Sequence, residues 1–216
     1  MSFRFRRLRL AWRSTGAGVS DEHLFVVGLA IALERYVYLV HAAVRNRGLW
    51  NEIVPLLSQG NFRQVAQATA KSPSAIGHIL NYGLARIQSA RRRDDIEKAM
   101  EESLMEVVPR LEKRTHYLAT FANLATLLGL LGTVMGLIRA FAAVATVNPA
   151  EKANLLSASI SVAMNCTAFG LMTAVPLLFI HAWLQTRTTE LIDSLEMASV
   201  KFLNAITERQ SAAAPA

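Results

Sequence analysis

Two hydroxyls, Thr133 and Thr167, stand inside long apolar runs, where a side chain that both donates and accepts a hydrogen bond brings polarity without charge. Thr133 lies in Leu128-Gly-Leu-Leu-Gly-Thr-Val-Met-Gly-Leu-Ile-Arg-Ala-Phe141, among Gly129, Gly132 and Gly136. Thr167 opens Thr-Ala-Phe-Gly-Leu-Met-Thr-Ala-Val-Pro176. Hydroxyls placed this way line a polar path between close-packed membrane helices, or bond the carbonyl one turn back and serve packing alone. Spacing by itself leaves both readings open.

Other chemistry finds less support. Cys166 is the sole cysteine, so the chain has no internal disulfide, and no histidine lies near it to act as a base. It reads as a small packing residue. No Ser-His or paired-carboxylate arrangement falls in the apolar runs, which argues against an enzyme. His23, His41, His78, His116 and His181 are scattered, with no pair at zinc-ligand spacing. Asp94, Asp95, Glu97, Glu101 and Glu102 are interleaved with Arg and Lys and lack the ordered spacing of a calcium loop. No metal or cofactor is expected. The formal charge of +7 comes without any aromatic-basic motif, so it points to membrane orientation rather than to nucleic acid.

The elements that position the hydroxyls follow from the charge-free runs. Between His116 and Arg139 there are 22 residues without charge or histidine, and between Lys152 and His181 there are 28. A helix needs roughly 20 apolar residues to cross a hydrocarbon core of about 30 Å. The expected spans are therefore residues 118–147 and 155–184. On the first, Thr126 and Thr133 share a face and Gly132 with Gly136 permits close backbone approach. On the second, Ser159, Ala163, Thr167, Gly170 and Ala174 form a continuous small stripe. Pro176 removes a backbone donor and frees the Met172 carbonyl, which predicts a bend. Asn165 is expected to make an interhelical hydrogen bond.

A further span is predicted at residues 19–44. Leu24 to Leu33 is too short alone, but the flanking residues give the length, with Glu34 and Arg35 as an ion pair near one interface and Tyr36 and Tyr38 at headgroup depth. Residues 1–18 hold five arginines and read as an interfacial amphipathic helix or a basic tail. From residue 45 to 117 the chain becomes amphipathic and charged, with 12 Lys and Arg against 8 Asp and Glu, punctuated at Gly60-Asn61 and Ser72-Pro73. Arg91-Arg-Arg-Asp-Asp95 reads as a solvated surface run. Residues 185–209 continue as an amphipathic helix, with Ile192, Leu195, Ser199, Phe202 and Ile206 on one stripe, and residues 210–216 read as a disordered tail. Basic residues concentrate in 45–117 and after Leu184, which places both on the cytoplasmic side.

The residues then resemble a family. Leu130-Leu-Gly-Thr-Val-Met-Gly136 with Ala140-Phe141, and Cys166-Thr-Ala-Phe-Gly-Leu-Met-Thr-Ala-Val-Pro176, look like the second- and third-span signatures of the MotA, TolQ and ExbB proton-channel subunits. Arg110-Leu-Glu with Leu118-Ala-Thr-Phe-Ala-Asn-Leu-Ala125, and Leu33-Glu-Arg35, are similar to the TolQ and ExbB branch. The likeness covers roughly residues 24 to 190. It implies an all-α, three-span protein of the bacterial inner membrane, multi-pass, with long cytoplasmic helical extensions, assembled as a cyclic homopentamer. It further implies an ExbD-, TolR- or MotB-like single-span partner that supplies an intramembrane aspartate, with Thr133 and Thr167 lining the proton path to it. The apolar runs hold no titrating group of their own, which fits that division. Many TolQ and ExbB relatives carry a glutamate five residues before the third-span threonine, where this chain has Val162. A non-conducting scaffold or transporter subunit would use the same glycines without needing the hydroxyls.

Overall fold

The computed structural model describes residues 17–87 and 93–213, with side-chain surroundings for 22–87 and 93–208. Six helices follow in order: α1 (Ala17–Gln59), α2 (Phe62–Lys71), α3 (Ala75–Ile87), α4 (Arg93–Glu112), α5 (Thr115–Val144) and α6 (Pro149–Ala213). The chain is all-helical, with no strand among the described residues. Three stretches, within Glu22–Gln59, Arg93–Val144 and Pro149–Glu208, are long and apolar enough to cross a membrane. The basic segment 1–16, Arg91-Arg92 and the tail 214–216 lie outside the described residues.

Local chemistry explains the breaks. Gly60 takes φ 74, and the bonds from its N–H to Leu57 O and from Asn61 N–H to Leu56 O close α1 in a Schellman turn that favours glycine. Asn61 then caps α2 by accepting from the Gln64 amide at 3.3 Å. Ser74 caps α3 by accepting from Gly77 N–H at 3.1 Å. Helices α4 and α5 are separated by Lys113-Arg114, and Arg114 holds φ 67, a left-handed conformation rare for a side chain with a Cβ. The expected boundaries move in three places. Helix α1 continues past residue 44 and through Pro55 as far as the turn at Gly60. Helix α5 ends at Val144, and α6 runs on through residues 210–213.

The chain falls into two units, Met1–Glu34 with Arg114–Leu184, and Arg35–Lys113 with Gln185–Ala216. The second is built like a soluble helical domain. Ile53, Val65, Ile79, Leu80, Leu111, Leu195 and Phe202 are buried, and α3 packs on both α2 and α4. The predicted stripe on the last helix is realised at Leu195, Phe202 and Ile206, joined by Leu191, Ala198 and Leu203, while Ile192 and Ser199 are only half-buried.

The first unit inverts that order. Most of its buried positions are small, Ala122, Ala125, Gly129 and Ala140 on α5 and Ala163, Cys166, Gly170 and Ala174 on α6, with Leu118, Leu177 and Leu184 buried beside them. Many of its large apolar side chains point outward, among them Leu127, Ile138, Phe141, Met172, Val175 and Phe179. Water does not tolerate so extensive an apolar surface, whereas lipid and neighbouring helices do. The chain is a multi-pass membrane protein.

One expected contact is replaced. Glu34 forms its ion pair with Arg114, whose Nη1 donates to both carboxylate oxygens at 2.9 Å, instead of with Arg35. Neighbours on a helix point about 100° apart, so Glu34 and Arg35 do not face one another. Arg35 is buried, donates from Nη2 to the Leu111 carbonyl and lies 4.9 Å from the Tyr38 ring centroid.

Candidate functional site

The first unit brings the two hydroxyls together. Thr133 Oγ1 donates to Leu130 O on its own helix at 2.6 Å, which ties up its proton and leaves its lone pairs to accept. Thr167 Oγ1 lies 3.2 Å from Gly129 O and 3.4 Å from Thr133 Oγ1, so its single proton is shared between two acceptors on the facing helix. The result is a short polar contact across an otherwise apolar packing seam. Thr126 is not part of it, because its hydroxyl bonds Ala122 O one turn back.

Glycine at 129 and 170 makes the contact possible. A Cβ at Gly129 would stand 3.1 Å from Cys166 O and 3.2 Å from Gly170 Cα, and one at Gly170 would stand 2.6 Å from Ala125 O. At Gly136 a Cβ would meet that of Ala163 at 2.7 Å. The pair on α5 seen to approach α6 closely is Gly129 with Gly136, and Gly132 is half-exposed. Cys166 is buried as a packing residue, donating weakly to Val162 O at 3.5 Å. Ser159 flanks the stripe half-buried, and Ala163, Gly170 and Ala174 are fully within it. Asn165, expected to bond between helices, has no hydrogen bond to another described residue. Pro176 stands inside the continuous α6.

Two polar contacts escaped sequence reasoning. His181 Nδ1 donates to Thr115 O at 3.0 Å, because a carbonyl can only accept, and this ties α6 to the first turn of α5. The Glu34–Arg114 pair ties α1 to the turn before α5. Partners 66 and 80 residues apart leave no periodic trace, so only their position at the ends of apolar runs hinted at them. Among the described residues no ionisable side chain hydrogen-bonds Thr133 or Thr167. The hydroxyl contact can pass a hydrogen bond along but cannot hold a proton.

Comparison with known proteins places the sequence among membrane-protein relatives. A family model described as the MotA/TolQ/ExbB proton channel family matches residues 71–197. The chain is 30% identical over 148 residues to the biopolymer transport protein exbB1 of Vibrio cholerae, covering 66% of this chain and 63% of that protein. It is 29% identical over 110 residues to the Tol-Pal system protein TolQ of Haemophilus influenzae, covering 51% and 46%. A putative biopolymer transport protein ExbB homolog of Methanothermobacter thermautotrophicus is 25% identical over 174 residues, covering 80% and 60%. The chain thus spans less than two thirds of the length of these relatives.

Proposed function

This chain belongs to the MotA/TolQ/ExbB proton channel family, in its TolQ/ExbB branch, and from that premise we propose that it is the channel-forming subunit of a proton-driven motor in the bacterial inner membrane. Five copies form a ring around the single-span helices of an ExbD-, TolR- or MotB-like partner, whose aspartate carries the proton. Helices α1, α5 and α6 cross the membrane, and residues 45–117 and those from 185 onward lie on the cytoplasmic side, where their basic residues are retained.

The observation that carries this reading is the contact of Thr167 with both Gly129 O and Thr133 Oγ1 in segments free of titrating groups. A proton entering from the outer side neutralises the partner aspartate beside these hydroxyls. The partner helix, no longer charged, moves past the apolar sector, and the proton leaves toward the cytoplasm. Each charge that crosses carries about 2.3 kcal/mol per 100 mV, enough to bias two packed arrangements. The work is spent on the cell envelope as energised transport, envelope integrity or motility.

Thr133→Val and Thr167→Val test the reading, because valine keeps volume and branching but removes the hydroxyl. Both variants should assemble at the parental level and lose proton flux with the partner present, and Thr→Ser should restore part of it. Full flux in both valine variants would reduce the hydroxyls to packing residues and leave a non-conducting scaffold as the better reading.

A further inference from the structure

The second unit contains a cavity of about 300 Å³ bounded by α1 beyond Tyr38, the connection between α2 and α3, and the last turns of α4. That volume is at the lower end of the range for small-molecule sites, roughly 300–1,000 Å³. Its lining includes Arg45, Arg110, His41 and His78, and no Asp or Glu. Arg110 is partly neutralised by Glu106, one turn away on α4. Arg45 has no ion pair among the described residues.

The wall also holds donors in surplus. Asn46 is 5% exposed, and its Oδ1 accepts from Ile76 N–H at 3.2 Å. Only the oxygen of the amide can accept, so that bond fixes its orientation and leaves Nδ2 as a buried donor with no partner. Ser72 Oγ and Ser74 Oγ lie 2.9 Å apart, and each already accepts from a backbone amide, of Ser74 and of Gly77 respectively. Whichever hydroxyl donates to the other, one hydroxyl proton is left over. The first amides of α3 are largely taken by Asn46 and Ser74, so the positive character of the cavity comes from its side chains rather than from the helix end.

A buried donor without an acceptor is costly, and the exposed Arg45, on a wall without carboxylates, attracts negative charge. Both are met by the same kind of guest. We infer that this cavity binds a phosphate or phosphoester oxyanion, with Arg45 supplying the opposite charge and Asn46 Nδ2 and the serine pair donating to its oxygens. A tetrahedral oxyanion offers acceptors in several directions, which suits donors arriving from α1 and from the α2–α3 connection; a planar carboxylate offers them in one plane. The source is either a soluble phosphoester or a phospholipid headgroup, since Tyr38 and Arg45 follow the apolar part of α1. The inference is independent of proton conduction.

The test uses the full chain, solubilised and delipidated in a maltoside detergent, with thermal unfolding and native mass spectrometry as readouts. Inorganic phosphate and glycerol phosphate form one arm, against sodium chloride of equal ionic strength. Short-chain phosphatidylglycerol forms the other, against phosphatidylcholine of equal chain length. Stabilisation by the first arm identifies a soluble ligand, and stabilisation by phosphatidylglycerol alone identifies a lipid headgroup. Arg45→Gln should weaken that binding by about tenfold, the loss expected of a charge-assisted hydrogen bond. Asn46→Asp keeps the acceptor for Ile76 N–H but turns the surplus donor into a negative oxygen, and should abolish binding while helical content stays parental. The inference is overturned if neither arm exceeds its control, or if Arg45→Gln and Asn46→Asp bind as the parent does.

Discussion

Replacing Gly170 with alanine adds one methyl group at the tightest point between α5 and α6. The new Cβ would lie 2.6 Å from Ala125 O and 3.0 Å from Gly129 Cα, both backbone atoms that cannot rotate away. Relief to an ordinary contact of 3.4 Å requires the helices to part by about 0.8 Å locally. Thr167 sits one turn from Gly170, so the same opening carries its contacts with Gly129 O and Thr133 Oγ1, now 3.2 and 3.4 Å, to about 4 Å, past hydrogen-bonding range. Overpacking costs about 1–3 kcal/mol, and loss of the interhelical hydrogen bond adds about 0.6 kcal/mol. Alanine returns about 1 kcal/mol of helix propensity. The net expectation is a loss of about 1–2 kcal/mol together with loss of proton flux. Gly48→Ala supplies the control, because nothing lies within 4 Å of a Cβ there, and propensity alone should stabilise by about 0.5–1 kcal/mol. Denaturant titration of the purified protein and flux measurements in vesicles containing the partner check both. If Gly170→Ala matched the parent in stability and flux, the seam would be more pliable than this packing allows, and the link between glycine and hydroxyl contact would be wrong.

Arg114 is held at φ 67, so Arg114→Gly should exceed Arg114→Ala in stability by about 1 kcal/mol, since both lose the half-exposed pair with Glu34 but only alanine keeps the left-handed strain; denaturant midpoints of the two variants decide this. Phe202→Ala empties a fully buried position and should cost about 3–5 kcal/mol in the second unit, read as a lowered unfolding midpoint. Native mass spectrometry of the solubilised chain should show a pentamer, and a stable monomer would refute the ring. In a Cys166→Ser background, a cysteine at Pro149 should react with an impermeant thiol reagent applied from outside and one at Glu97 should not; the reverse pattern would invert the topology.

Those features that depend on period were legible in the sequence. The 22- and 28-residue runs free of charge and histidine placed α5 and the first half of α6, and the stripe through Ala163, Thr167, Gly170 and Ala174 named the face that meets α5. Register within that face was not legible. Three glycines fall between 129 and 136, and the four-residue pair at Gly132 and Gly136 suggested the contact, yet positions seven apart differ by only about 20° around a helix while Gly132 stands about 40–60° to the side. Gly129 and Gly136 therefore meet α6. The hydroxyls show the same limit. Sequence placed Thr133 and Thr167 near one another, but a threonine can satisfy itself on its own helix or reach across, and only the close approach at Gly129 decides that Thr133 does the first and Thr167 the second. Glu34 followed the opposite course, since the adjacent arginine is the obvious partner in the sequence and the helix turns it away. A residue 80 positions later takes the carboxylate, at the one left-handed side-chain-bearing residue among those described. Polarity in this chain is thus set where backbones come close or turn sharply, and a period-based reading reaches such places only when small residues mark them.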